Sequence, residues 1–133
     1  PEELLTVARR NVLADDGELV RSAIEKGGRL LGELTAGNGY FVAARVAADP
    51  ALTRHALVAM PTRHALLRRE LDTPCDVSAL EGLCDVAVRL HADGSDTLSP
   101  NVFWCRDGTF ERVPFRLEGE RVVVDPPAGL LRP

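Results

Sequence analysis

The sequence predicts an α+β fold, a single globular domain over residues 1–133 with an antiparallel β-sheet covered by about three helices and a C-terminal three-stranded meander. Three observations carry that expectation. Leu57-Val58-Ala59-Met60 is an apolar run too short for a helix and is stopped by Pro61, as a buried strand would be. Leu80, Leu83, Cys84, Ala87 and Leu90 recur at the helical period, with Ser78, Glu81, Asp85 and Arg89 on the opposite face. Arg106-Asp107-Gly108 separates two β-rich runs, and Asp-Gly in that setting signals a hairpin.

From the N-terminus, Leu5, Ala8 and Val12 fall on one face of a helix drawn over residues 2–13, with Glu2, Glu3, Arg9 and Arg10 mostly opposite. Asp15-Asp16-Gly17 is turn-prone and ends it. Residues 18–36 fit either a helix through Leu19, Ala23 and Ile24 or a hairpin turning at Lys26-Gly27-Gly28. The hairpin is preferred, with strands near 19–25 and 29–35. Asn38 then suits the cap of a second helix over 40–48, which Pro50 closes.

The stretch Ala56–Leu71 is the centre of the expected fold. After the strand ending at Pro61, Thr62-Arg63-His64 turns the chain, and Ala65–Leu71 returns antiparallel despite its good helix formers. Thr73-Pro74 with Asp76 reads as a helix start, and Gly94 as its stop. Asn101–Cys105, Thr109–Leu117 and Val122–Val124 make the meander. Pro114 marks a bulge or an edge there, and the residues after Pro126 form a tail. TRHAL occurs twice, at Thr53–Leu57 and Thr62–Leu66, too few copies for a repeat architecture.

Composition narrows the function classes. A net charge of -4 gives no summed positive field for a phosphate backbone, so nucleic acid is not an expected partner. No apolar run reaches the roughly 18–20 residues that cross a bilayer, and no charged-then-apolar leader opens the chain. Three cysteines without C-x-x-C spacing indicate neither a disulfide framework nor a zinc ribbon, and fit a reducing cytoplasm. The first residue is Pro1, not Met, as expected of a piece cut from a longer protein.

ARRN at Ala8–Asn11, NGYFVAARVAAD at Asn38–Asp49, ALVAMPTRHALL at Ala56–Leu67 and VFWCRDGTFERV at Val102–Val113, in that order, resemble the C-terminal half of the YtpQ-like family of bacterial proteins. The resemblance covers roughly Leu4–Val113. It implies a domain whose molecular function is unassigned, and it brings no activity, cofactor or partner with it. The family's larger members carry a further N-terminal region, and where the pattern places an acidic residue two positions beyond Thr62 this chain has His64. A carboxylate only accepts hydrogen bonds, so a role needing negative charge there does not carry over to an imidazole.

Candidate chemistry is sparse. His55, His64 and His91 share no H-x-x-x-H spacing and no neighbouring cysteine pair, so neither a metal site nor a cofactor is expected. Cys84 lies on an apolar stripe and Cys105 beside Trp104, both readable as core. Cys75 follows Pro74 at an expected helix N-terminus, which would lower its pKa and make it the best thiol nucleophile of the three. Gly37-x-Gly39 is too short for a phosphate loop, and the carboxylates Asp15, Asp16, Asp93 and Asp96 fall in turns.

What remains is a ligand- or partner-binding cluster of Arg54, His55, Thr62, Arg63 and His64, donors at the two ends of the central strand suited to an anionic group or a partner's carboxylates. The expectation is a non-catalytic protein-binding or self-associating domain, with an exposed edge at Pro114 or the last strand available for pairing. The alternatives are a hydrolase using a Cys/His pair and a sensor of small anionic ligands using the Arg-His loops.

Overall fold

The computed structural model describes residues 5–14, 17–37, 49–72, 75–94 and 97–131. Its elements in chain order are β1 (Leu5–Ala14), β2 (Gly17–Lys26), β3 (Arg29–Gly37), β4 (His55–Thr62), β5 (Ala65–Glu70), α1 (Val77–Asp93), β6 (Val102–Arg106), β7 (Thr109–Arg112), β8 (Phe115–Glu118) and β9 (Arg121–Val124). The first seven strands form one sheet in the order β1-β2-β3-β5-β4-β6-β7, and β8 pairs with β9 in a second. Every pairing is antiparallel.

This corrects the expected sheet under three helices: the fold is mostly β, and α1 is the one helix among the described residues. The expected first helix is instead β1, whose Leu5–Ala14 makes ten consecutive cross-strand pairs with β2. A ladder of that length satisfies the backbone groups of the strand that face β2 and outweighs a helical arrangement of apolar residues in an isolated segment. The expected helix over 40–48 lies outside the described residues.

The hairpin expectation for 19–35 holds. β2 and β3 are joined through Gly27 and Gly28, both at positive φ (61° and 77°), the geometry of a two-residue turn that glycine adopts without strain. The returning strand β5 is also present, and β4 lies between β5 and β6, so the stretch Ala56–Leu71 is interior to the sheet.

Alternation along β4 splits the core into two. Leu57 and Ala59 face α1 together with Leu67, Val102, Trp104, Ile24 and Leu31, and the helix answers with Ala79, Leu80, Leu83, Cys84 and Ala87. Ala56 and Val58 face the other way and pack with Leu66 and Cys105. Both faces of β4 are buried, which is why its sequence is continuously apolar instead of alternating.

Asp76 caps α1, its side chain accepting the Ala79 N–H at 2.8 Å; the expected capping hydroxyl, Thr73, lies outside the described residues. Gly94 ends the helix as expected, at an ordinary negative φ. α1 packs closely on the sheet at Gly82, where an added Cβ would stand 3.1 Å from Leu31 Cδ1. Leu31 is the extra residue at a register shift between β2 and β3, which delivers it to the helix.

The expected three-stranded meander divides. β6 and β7 turn through Asp107 (φ 47°) and Gly108 (φ 85°), as Asp-Gly predicts. The run after β7 is then broken at Val113-Pro114, since Val113 is fully buried and proline offers no N–H to a ladder. Residues 115–124 fold back as the separate β8–β9 hairpin, with Val122 and Val124 against the core. Past Pro126 the chain turns and buries Leu130, and Gly129 approaches the Trp104 ring.

Candidate functional site

The two copies of TRHAL lead into β4 and β5, which are antiparallel neighbours, so the same five residues are delivered to opposite ends of one strand pair. His55 opens β4 and Thr62 closes it. Seven steps at about 3.3 Å separate them by roughly 23 Å. Arg54 and His55 therefore belong to one end of the sheet, and Thr62, Arg63 and His64 to the other; the structure does not bring the two Arg-His pairs together.

At the first end, Arg54 is exposed and its carbonyl accepts the Asp107 N–H at 2.8 Å, tying this segment to the β6–β7 turn. His55 is opposite Arg106 across the β4–β6 ladder, and its ring centroid is 6.5 Å from that of Trp104. The Arg106 guanidinium carbon lies 3.7 Å from the centroid of the Trp104 ring, and Arg106 Nη2 reaches Glu111 Oε1 at 2.7 Å. Trp104 is 5% exposed and its Nε1 has no acceptor among the described residues. Sequence reasoning did not gather Trp104, Arg106 and Glu111 with His55; their link is the β4–β6–β7 register, which a linear sequence does not display.

At the second end, Thr62 is buried and its hydroxyl accepts the His64 N–H at 3.2 Å, closing the β4–β5 turn. The His64 carbonyl accepts the Gly37 N–H at 3.1 Å, and Arg63 is exposed. These are turn-building bonds made largely by backbone, and they account for the conformation without a ligand.

The thiols are poorly placed for nucleophilic work. Cys75 is buried ahead of the cap, and burial pushes its pKa above the usual thiol value, against the opposing pull of Arg69. The helix N-terminus expected to activate it starts at Val77, and Asp76 takes the capping position. Its charged neighbours are Arg69, Asp76 and Arg29, and no histidine figures among them. Burial also pushes Cys84 up to about 12 and Cys105 up to about 11. Among the described residues, no three His, Cys, Asp or Glu side chains gather as a metal would need, and no helix is long and apolar enough to cross a membrane.

A cleft of about 480 Å³ opens between the β2–β3 turn, α1 and the β8–β9 turn. Part of its charged wall is already paired: Asp85 takes Arg89 at 3.1 Å and Lys26 at 4.0 Å, and Arg29 is paired with Asp76 outside the cleft.

The strongest interaction feature is an edge of the large sheet. All four side chains of β7 are exposed, Phe110 to 46%, and among the described residues no strand covers its outer side. Val113 N–H donates to the Val102 carbonyl at 2.9 Å, so by alternation Glu111 and Thr109 turn their backbone groups toward β6. Phe110 and Arg112 present theirs outward. An unpaired N–H and C=O at each of two alternate residues, beside an exposed aromatic ring, is a template for another strand.

No family model matches the chain, and neither a curated protein nor a solved structure matches it.

Proposed function

We propose that this chain is a non-catalytic protein-binding domain that takes up an extended polypeptide segment by strand addition along β7. The observation that carries the reading is the outward pair of backbone groups at Phe110 and Arg112 on an edge strand whose four side chains are exposed. Main-chain hydrogen bonds supply the affinity in this mode, and side-chain contacts on alternate residues supply selectivity. Phe110 is the aromatic contact on one face, with Glu111 on the other. The edge is four residues long, carries two charges and ends before Pro114, features that keep an open strand from pairing indiscriminately. Buried, raised thiols and the separated Arg-His pairs favour this reading over a Cys/His hydrolase or a two-loop anion sensor.

The test replaces Phe110 with a photo-crosslinking amino acid and irradiates living cells. A discrete protein adduct is expected, and it is lost on adding Arg112→Pro, which removes an outward N–H that the fold does not use. No adduct above the unirradiated control would overturn the reading.

A further inference from the structure

Resting on that reading, we infer that the segment which pairs with β7 is β7 of a second copy of this chain, so that two sheets join edge to edge about a two-fold axis through Phe110. Such an axis, perpendicular to the sheet, must pass midway between a residue and its own copy, because paired antiparallel residues point to the same face and therefore differ by an even number. Two registers are then available in a strand this short. An axis at Glu111 places Glu111 directly opposite its own copy, a like-charge pair.

An axis at Phe110 does the reverse. Phe110 faces Phe110 of the second copy as a hydrogen-bonded pair, because its N–H and C=O already point outward, and the two rings meet on one face. Thr109 falls opposite Glu111 of the other copy, a hydroxyl against a carboxylate. Arg112 falls opposite Gly108, one residue from Asp107 in the same turn, so a long guanidinium side chain and a carboxylate become neighbours twice by symmetry. Among the described residues neither Arg112 nor Asp107 has an ion pair within its own chain. Glu111 keeps its bond to Arg106, so no acidic group is left facing another. The edge is short, and the dimer is accordingly weak and concentration-dependent.

Sedimentation equilibrium over a wide concentration range tests this on the whole chain. The expected result is a reversible monomer–dimer equilibrium. Arg112→Asp, which sets two carboxylates beside each other twice, weakens it by about ten-fold or more. Phe110→Lys weakens it similarly while leaving the backbone as it is, and circular dichroism establishes that both variants fold. Phe110→Cys, oxidised at high concentration, gives a disulfide-linked dimer, since a hydrogen-bonded pair holds its Cα atoms about 5.5 Å apart. A strict monomer, or a dimer unaffected by Arg112→Asp and Phe110→Lys, overturns the inference. If the chain is monomeric yet the Phe110 crosslinker still captures a different protein, the second copy is wrong and strand addition stands. If it is monomeric and captures nothing, both fail.

Discussion

The Val113 N–H donates to the Val102 carbonyl at 2.9 Å, and this bond fixes which way every backbone group of β7 points. It locates Val113 as the last residue to face β6 before Pro114 interrupts the strand. Counting back by twos makes Glu111 and Thr109 inward and leaves Phe110 and Arg112 outward. The open edge follows from ladder alternation and one proline, and each end of that argument is accessible to substitution.

The stacking of Arg106 on Trp104 is the first target. Arg106→Ala removes the cation over the ring and the ion pair with Glu111, both partly exposed. A loss of about 0.5–1 kcal/mol is expected from the first contact, with little from the second. Urea denaturation measures it. Trp104 is the chain's one tryptophan, so its emission reports the change directly, shifting to longer wavelength as the guanidinium cover is lost.

Two glycines provide a matched pair. Gly32→Ala puts a Cβ 2.5 Å from the Arg68 carbonyl oxygen, a backbone atom held in the β3–β5 ladder, and is expected to destabilise by about 1–3 kcal/mol. Gly82→Ala meets instead the tip of the Leu31 side chain at 3.1 Å, which can shift, while gaining up to about 1 kcal/mol of helix propensity. Thermal unfolding should therefore rank Gly32→Ala well below Gly82→Ala, and the opposite order would contradict the packing described.

Asp76 links stability to pH. The Arg29 guanidinium, and after it the Ala79 N–H, hold its carboxyl below the usual carboxylate value. A lowered folded value means the charged form stabilises the fold. That contribution is complete above the ordinary pKa of about 4 and is lost as pH falls through the folded value. Asp76→Asn keeps the capping acceptor and removes the charge, so its stability should fall less steeply in acid. Asp76→Ala removes both and should be the less stable of the two at pH 7.

All three thiols should resist alkylation in the native protein. Cys75, Cys84 and Cys105 are buried and their pKa values are raised, so the reactive thiolate is scarce at neutral pH. Iodoacetamide labelling followed by mass spectrometry should give unmodified protein until denaturant is added. Selective native labelling of Cys75 would revive the thiol-nucleophile alternative.

Much of the middle of this fold is legible in the sequence, and the reasons are local. Gly27-Gly28 and Asp107-Gly108 demand positive φ, and each hairpin is where its turn residues place it. The apolar run before Pro61 is a strand with both faces buried, and the period of Leu80–Leu90 is that of α1. The N-terminal error has the opposite cause. Leu5–Ala14 is held as β1 by its ladder with β2, a partner beyond any window over residues 2–13. Thr73-Pro74 with Asp76 marks the helix start, but that the cap is Asp76 is fixed by its bond to Ala79, which the sequence does not display. The candidate cluster was half legible for a topological reason: identical TRHAL segments opening two antiparallel strands must lie at opposite ends. Whether Arg106 and Trp104 join His55 depends on the β4–β6 register, which no local signal encodes.

Amide hydrogen exchange, read residue by residue along β7, tests the central claim most directly. In dilute protein the account predicts slow exchange at Glu111 and Val113, whose N–H groups face β6, and fast exchange at Phe110 and Arg112, whose N–H groups face outward. Raising the protein concentration should then slow Phe110 and Arg112 while leaving Glu111 unchanged. Protection of Phe110 and Arg112 that is already complete in dilute solution would contradict an open β7 edge, and protection that never appears at any concentration would contradict its pairing with a second copy.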